Sequence, residues 1–301
     1  QLKARAADAR HAYEELAIDD VRQAAVLLAG VYRATDGRDG YVSLEVAPTL
    51  ARDTEATVRE AKRLWQRVDR PNLMIKVPAT IEGVAAIRDL IAAGVNINAT
   101  LLFSVVRYKA LAEAYMAGLE ARIEAGLSVT GVASVASFFL SRIDSAVDPM
   151  LDAQGHAAAA SLRGQTAIAS ARLAYQVYKD LTASNRWQRL QAHGARTQRL
   201  LWASTSSKDP AYDDLKYVTP LIGPDTVNTL PPETLAAFRD HGVAAMHVED
   251  DLNLTRGLPS LLDALGINLG QITDRLEAEG IAKFITPYES LLTTLQKRLQ
   301  S

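Results

Sequence analysis

Short apolar runs alternate along this chain with long segments of helical periodicity, and that alternation constrains the fold more than any other feature. The runs lie at residues 40–46, 73–77, 97–103, 131–138, 199–204 and 226–230. Between them, apolar residues recur three and four positions apart, the spacing of amphipathic helices. Residues 54–68 follow Asp53, a good N-cap. Residues 81–93 end at Gly94 and residues 105–125 at Gly126, both in the usual helix-closing position. Residues 152–184 read as a long helical region broken near Gly164. Pro232 opens another helix at its first turn and Gly242 closes it. Further helices are expected over 259–265, 271–279 and 288–299. Strand–helix repetition requires crossover connections, which produce a parallel sheet with helices outside it.

Eight such strands close a (β/α)8 barrel, whose active site lies at the carboxyl ends of the strands. Six candidates leave two to find, and the segment beyond Pro231 reads as helical. The expectation is a single α/β barrel domain over 1–301 that is N-terminally incomplete. Its first two strands would then precede Gln1, supplied by one or two further βα units.

Of the 301 residues, 48% are hydrophobic, enough to fill one large core. The net charge of −2 gives no electrostatic case for nucleic acid or an anionic membrane surface. With no cysteine, the chain has no disulfide, thiolate metal site or cysteine nucleophile, and it suits a reducing, cytoplasmic setting. No stretch approaches the roughly 18 uninterrupted apolar residues of a membrane-spanning helix. The histidines (His11, His156, His193, His241, His247) are scattered without an H-x-x-x-H pair, so no metal site is expected.

The chemistry is concentrated in the strands. Lys76 interrupts the apolar run Leu73-Met74-Ile75-Lys76-Val77. Burying an ammonium is costly, and burial favours the neutral amine, the form that attacks a ketone to give a Schiff base. Side chains alternate across a strand. Ser43 and Glu45 therefore share one face of their run, Met74 and Lys76 one face of theirs, and Asn96, Asn98 and Thr100 one face of the next. Ser137 lies near the end of the fourth run. An isolated strand Glu or Lys is ordinarily an edge residue, and Asn98 and Thr100 could equally satisfy core hydrogen bonds. A closed barrel has no edges, however, and four successive runs carry polar groups toward one side. That side is expected to be the interior near the catalytic mouth. Arg142, just past the fourth run, could grip a phosphate or pair with Asp144. Lys208, in the loop after the fifth, could be a second phosphate contact or a solvated surface lysine. Trp202 and Phe138 read as core packing.

These segments, in their order along the whole chain, resemble the transaldolases, particularly the long actinobacterial and cyanobacterial type. The segments that match are 40–46, 72–79, 96–103, 133–142, 201–208 and 227–231. The resemblance implies a (β/α)8 barrel using class I aldolase chemistry without metal or organic cofactor. The enzyme would move a dihydroxyacetone unit from a ketose phosphate, such as sedoheptulose 7-phosphate, to glyceraldehyde 3-phosphate. By position it makes Lys76 the Schiff-base lysine, Glu45 the glutamate acting through a bound water, and Thr100 the residue orienting that water. Asn98 and Ser137 would line the substrate site, Arg142 would bind phosphate, and Lys208 sits near a second basic phosphate ligand, where the local spacing departs from the short-type pattern. The expected partners are sugar phosphates, with a homodimer as an open alternative, and neither nucleic acid nor membrane. Position and the resemblance together imply that the C-terminal helices (259–265, 271–279 and 288–299) cover the barrel mouth.

The chain departs from the family at two points. The first-strand aspartate and the second-strand Thr-Ser-Asn-Pro-like motif are absent from these residues. Two alternatives therefore stand beside the transferase: an aldolase releasing free dihydroxyacetone or cleaving fructose 6-phosphate, and a truncated barrel acting as a binding module.

Overall fold

The structure, a computed structural model, describes residues 8–300; residues 1–7 and 301 of the expected domain lie outside the described residues. Helix α1 (Ala9–Ala34) is capped by Asp8, whose side chain accepts from His11 N–H. Strand β1 (Val42–Glu45) leads through a short 3-10 turn into α2 (Thr54–Val68). Next come β2 (Leu73–Pro78), α3 (Ile81–Ala92), β3 (Ile97–Leu102), α4 (Val105–Glu124) and β4 (Ser134–Phe139). Three helices follow, α5 (Ser141–Asp152), α6 (Ala157–Ala160) and α7 (Thr166–Ala183), then α8 (Asn185–Ala192) and β5 (Arg199–Ala203). The chain ends with β6 (Thr226–Asn228), α9 (Pro232–His241), α10 (Leu252–Ala264) and α11 (Leu269–Gln300).

All six strands join one parallel sheet in chain order, β1-β2-β3-β4-β5-β6, with α-helices as the crossovers up to β5 and a long connection with one 3-10 turn (Thr219–Leu221) between β5 and β6. The helix starts are set by the side chains the sequence supplies. Asp53, Thr80, Ser104 and Ser184 each accept from a backbone N–H in the following first turn, satisfying donors that have no partner within the helix. Thr80 also donates to Ala51 O at 2.5 Å, tying the end of β2 to the connection after β1. Gly83 lets α3 lie directly on that strand end: a Cβ there would fall 1.8 Å from Pro78 O.

The apolar faces of the strands form one continuous core with the helices. Ile75, Val77, Ile97, Ala99, Ala136 and Phe138 are essentially inaccessible, as are Ile87, Leu90 and Leu111 of the covering helices. Trp202 belongs to this outer layer, as its packing role required. Its ring stands edge-on to Phe138, and its Nε1–H donates to Leu221 O at 2.9 Å.

The C-terminal region differs from expectation. Residues 271–279 and 288–299 are parts of one 32-residue helix, α11, with Pro287 inside it, and the helix expected at 259–265 begins at Leu252. Proline removes only one backbone donor, freeing the carbonyl four residues earlier. Lys283, which owns that carbonyl, and Pro287 are both exposed, so water can take the place of the lost bond and the helix continues.

The long connection from β5 to β6 is pinned to α5 by two buried carboxylates. Asp144 accepts from Ala167 N–H at 2.8 Å and Tyr217 O–H at 2.9 Å. Asp148 accepts from Gly164 N–H at 2.9 Å and Tyr212 O–H at 2.6 Å. Burial pushes the Asp144 carboxyl up to about 6; the Ala167 N–H opposes that shift and the nearby Asp148 charge adds to it. The native carboxyl thus keeps its proton to higher pH than an unfolded aspartate would, and stability should fall as pH rises through that window. Unfolding in urea from about pH 4 to about pH 7 should show the wild type losing about 3 kcal/mol relative to Asp144→Asn. Parallel curves would show that Asp144 does not titrate there.

Candidate active site

Strand register places the chemically useful side chains in a row. Glu45 pairs with Lys76, and Lys76 with Asn98. Residues paired across parallel strands point to the same side of a sheet, so all three project together, opposite Ile75, Val77, Ile97 and Ala99. Lys76 Nζ lies 3.4 Å from Glu45 Oε2, with about a quarter of each side chain accessible (25% and 23%). Burial raises the Glu45 carboxyl above the ordinary range, and the Lys76 charge and hydrogen bond oppose that shift.

Asn98 is the hub of the neighbouring network. Its Nδ2 donates to Ser43 Oγ at 3.1 Å, and its Oδ1 accepts from Ser137 Oγ–H at 2.7 Å. One amide thereby fixes the inner faces of β1, β3 and β4 relative to each other. Thr100, two residues further along β3, is wholly buried, and its Oγ1 has no hydrogen-bond partner among the described residues.

The next residue is strained. Leu101 has φ of 54°, in the left-handed region, and the β3–β4 register shifts between Ala99 and Leu102. A bulky residue there costs roughly 1–3 kcal/mol, and an irregularity of this kind bends a strand and re-aims its side chains. The bend falls at the mouth of the sheet, beside Thr100. Leucine carries no sequence signal for that conformation.

Arg142 sits in the first turn of α5, beyond the end of β4, with its guanidinium 5.6 Å from the Phe139 ring centroid. The adjacent Ser141 links to the end of β5: its N–H donates to Ser204 O at 3.1 Å, and the two hydroxyls lie 2.9 Å apart. Lys208 is placed differently. Its ammonium is exposed and donates to Ser206 Oγ at 2.6 Å, and no contact described here ties it to the Lys76 group. The sequence pattern therefore brings together Glu45, Lys76, Asn98 and Ser137, places Thr100 beside them on β3 and Arg142 at the same end of the sheet, and leaves Lys208 apart on its loop.

Sequence reasoning expected C-terminal helices over the barrel mouth but did not identify the residues of α11 that face Lys76. The Phe284 ring lies 5.9 Å from Lys76 Nζ. Glu277, Gly280, Phe284 and Tyr288 recur three and four apart, so the stripe was present in the chain, but nothing local said which surface it covers.

An amine beside a carboxylate, on rigid strands and against an aromatic wall, is equipped to condense with a carbonyl and to move protons around the adduct. Among the described residues, no group of three or more histidine, aspartate or glutamate side chains is placed to hold a metal ion, and no helix is long and apolar enough to cross a membrane. The fold is that of an α/β enzyme, and the paired amine and carboxylate suit work on a carbonyl group. The family model described as Transaldolase/Fructose-6-phosphate aldolase matches residues 1–295. A transaldolase of Frankia alni is 48% identical over 299 residues, covering 99% of this chain and 81% of the relative. One from Trichodesmium erythraeum is 47% identical over 298 residues, covering 96% and 78%. Another from Mycolicibacterium smegmatis is 45% identical over 302 residues, covering 100% and 81%. The chain belongs to the transaldolase/fructose-6-phosphate aldolase family, whose scaffold is the (β/α)8 barrel, and it is an enzyme of transaldolase type.

Asn98→Ala should strand the Ser43 and Ser137 hydroxyls and cost about 1–3 kcal/mol. Thermal unfolding that matches the wild type would show that water replaces the amide without loss.

Proposed function

We propose that the protein transfers a dihydroxyacetone unit from sedoheptulose 7-phosphate or fructose 6-phosphate to an aldose phosphate, through a Schiff base on Lys76. The observation that carries this reading is the Lys76–Glu45 pair, 3.4 Å apart and in register with Asn98. The Lys76 amine, once its proton has been given up, adds to the ketose carbonyl, and water leaves to give the iminium ion. The C4 hydroxyl gives its proton to the Glu45 carboxylate through a water, and the C3–C4 bond breaks; its electron pair moves into the iminium, giving an enamine and releasing an aldose phosphate. The enamine carbon attacks the aldehyde of the acceptor, and hydrolysis of the new imine frees the product and Lys76.

Glu45 acts in this scheme through a bound water, accepting and returning protons as the carbinolamine loses water. The unpartnered Thr100 hydroxyl, buried on the same inner face, supports its role in orienting that water. Asn98 and Ser137 present polar atoms to the substrate hydroxyls. Arg142, at the start of α5, suits a phosphate through paired donors, favoured also by the helix N-terminus. Lys208 would join it when its loop brings the ammonium inward. The absence of cysteine supports a cytoplasmic setting for this metabolism.

Borohydride reduction in the presence of fructose 6-phosphate should leave a stable adduct on the Lys76 peptide, and Lys76→Arg should leave none. An adduct on another lysine would overturn the assignment. Glu45→Gln should lower kcat/KM by roughly 10²–10⁴-fold. The wild-type acidic limb should lie above the ordinary glutamate range, because burial raises the Glu45 carboxyl and the base works only when ionised. If Glu45→Gln keeps the same acidic limb, another group is the base.

A further inference from the structure

Four contacts on one face of α11 span the mouth of the sheet. Glu277 reaches Arg107 at the start of α4 at 3.8 Å and Arg52 ahead of α2 at 4.0 Å. One turn on, Gly280 is buried against the end of β3. A further turn on, Phe284 stands over Lys76. After one more turn, Tyr288 meets Tyr13 of α1 edge-on, with ring centroids 5.4 Å apart. The helix is thus anchored at both ends, and its middle forms a ceiling above the amine.

The closest approach is at Gly280. A Cβ at that position would lie 3.0 Å from Leu101 Cδ2, and 3.8 Å from both Leu101 Cδ1 and Arg142 Nη1. Leu101 is the residue held in the left-handed conformation beside Thr100, where β3 departs from its register with β4. Its side chain is 2% exposed and enclosed in the core cluster, so its tip has little space into which to yield to an added methyl. The helix is the softer partner. Even a few tenths of an ångström of lift there would be carried to Phe284, one turn away on the same face.

We propose that Gly280 is a positioning residue that seats α11 as a water barrier, and that this seating sets the balance between transferring the three-carbon unit and releasing it. The inference rests on the Schiff-base reading of Lys76 and concerns the fate of the intermediate. After C–C cleavage the enamine has two exits. In transfer, its carbon forms a bond to the acceptor aldehyde, whose oxygen takes a proton. In release, the enamine carbon takes a proton, and water adds to the resulting iminium carbon. The C–N bond then breaks, giving free dihydroxyacetone and the Lys76 amine. Both exits end in hydrolysis of an iminium on Lys76, so the ratio is set one step earlier, by whether a proton from entering water or the acceptor aldehyde reaches the enamine carbon first. A ceiling that holds an aromatic ring over the nitrogen keeps water, the proton source, away from the enamine formed there.

The test is the product ratio with fructose 6-phosphate as donor and erythrose 4-phosphate as acceptor, counting free dihydroxyacetone against transferred product. Alanine is a better helix former than glycine, so Gly280→Ala acts at the contact and does not unravel the helix. Free dihydroxyacetone per transfer should rise roughly threefold or more in Gly280→Ala and further in Gly280→Val, at undiminished borohydride trapping on Lys76. Leu101→Ala added to Gly280→Ala should restore the space and return the ratio toward wild type. An unchanged ratio in Gly280→Ala, with trapping intact, would overturn the proposal whether or not the valine variant folds. A rise that Leu101→Ala does not reverse would overturn the seat as its cause. Absence of trapping in the wild type would instead overturn the Schiff-base reading, and this inference with it.

Discussion

The register of three parallel strands is the constraint on which this site depends. Glu45, Lys76 and Asn98 are distant in the chain, and none is chemically unusual alone. Parallel pairing aligns them, and strand alternation sends them to the side opposite the helix-covered core. A one-residue slip of β2 would turn Lys76 into the apolar layer and Ile75 toward Glu45. The fully buried Ile75 and Val77 oppose such a slip, because it would carry them out of the core they share with Ile97 and Ala99. The packing layer thus enforces the geometry of the reactive layer behind it.

The Lys76–Glu45 pair is kept between two extremes. A fully buried pair would suffer a desolvation cost that Coulomb attraction often fails to recover. A fully exposed pair would be screened and mobile. With about a quarter of each side chain accessible, the pair stays within reach of a substrate. Asn98 and its two serine partners supply the rigidity that the ion pair cannot, since hydrogen bonds to an amide fix direction as well as distance.

Much of this was legible in the chain because it follows from period. The six strands fall inside or within one residue of their expected runs, and α2 lies where its cap and apolar spacing placed it. The polar inner face was readable from alternation alone, and Glu45, Lys76, Asn98 and Ser137 do share it. What was not legible depends on contacts between distant segments. No local rule places a leucine at φ of 54°, and none says that Phe284 should face Lys76. The gap expected between 279 and 288 is helical as well, because Pro287 is exposed and water can take the place of its lost bond. Lys208 was readable as a cation after a strand, but the reach of a loop side chain is not a periodic property.

The two flanks of the site are held by interactions of different stiffness. On one side, Asp144 and Asp148 each bind a peptide N–H and a phenol, locking the β5–β6 connection to the helix that bears Arg142. On the other, α11 rests on an edge-on pair of tyrosines, long ion pairs and a glycine contact. Hydrogen bonds resist displacement in direction, whereas aromatic and apolar contacts slide at small cost. Thermal motion is therefore shared unequally: the wall that carries Arg142 acts as a fixed jaw, and the wall above the amine is the compliant one.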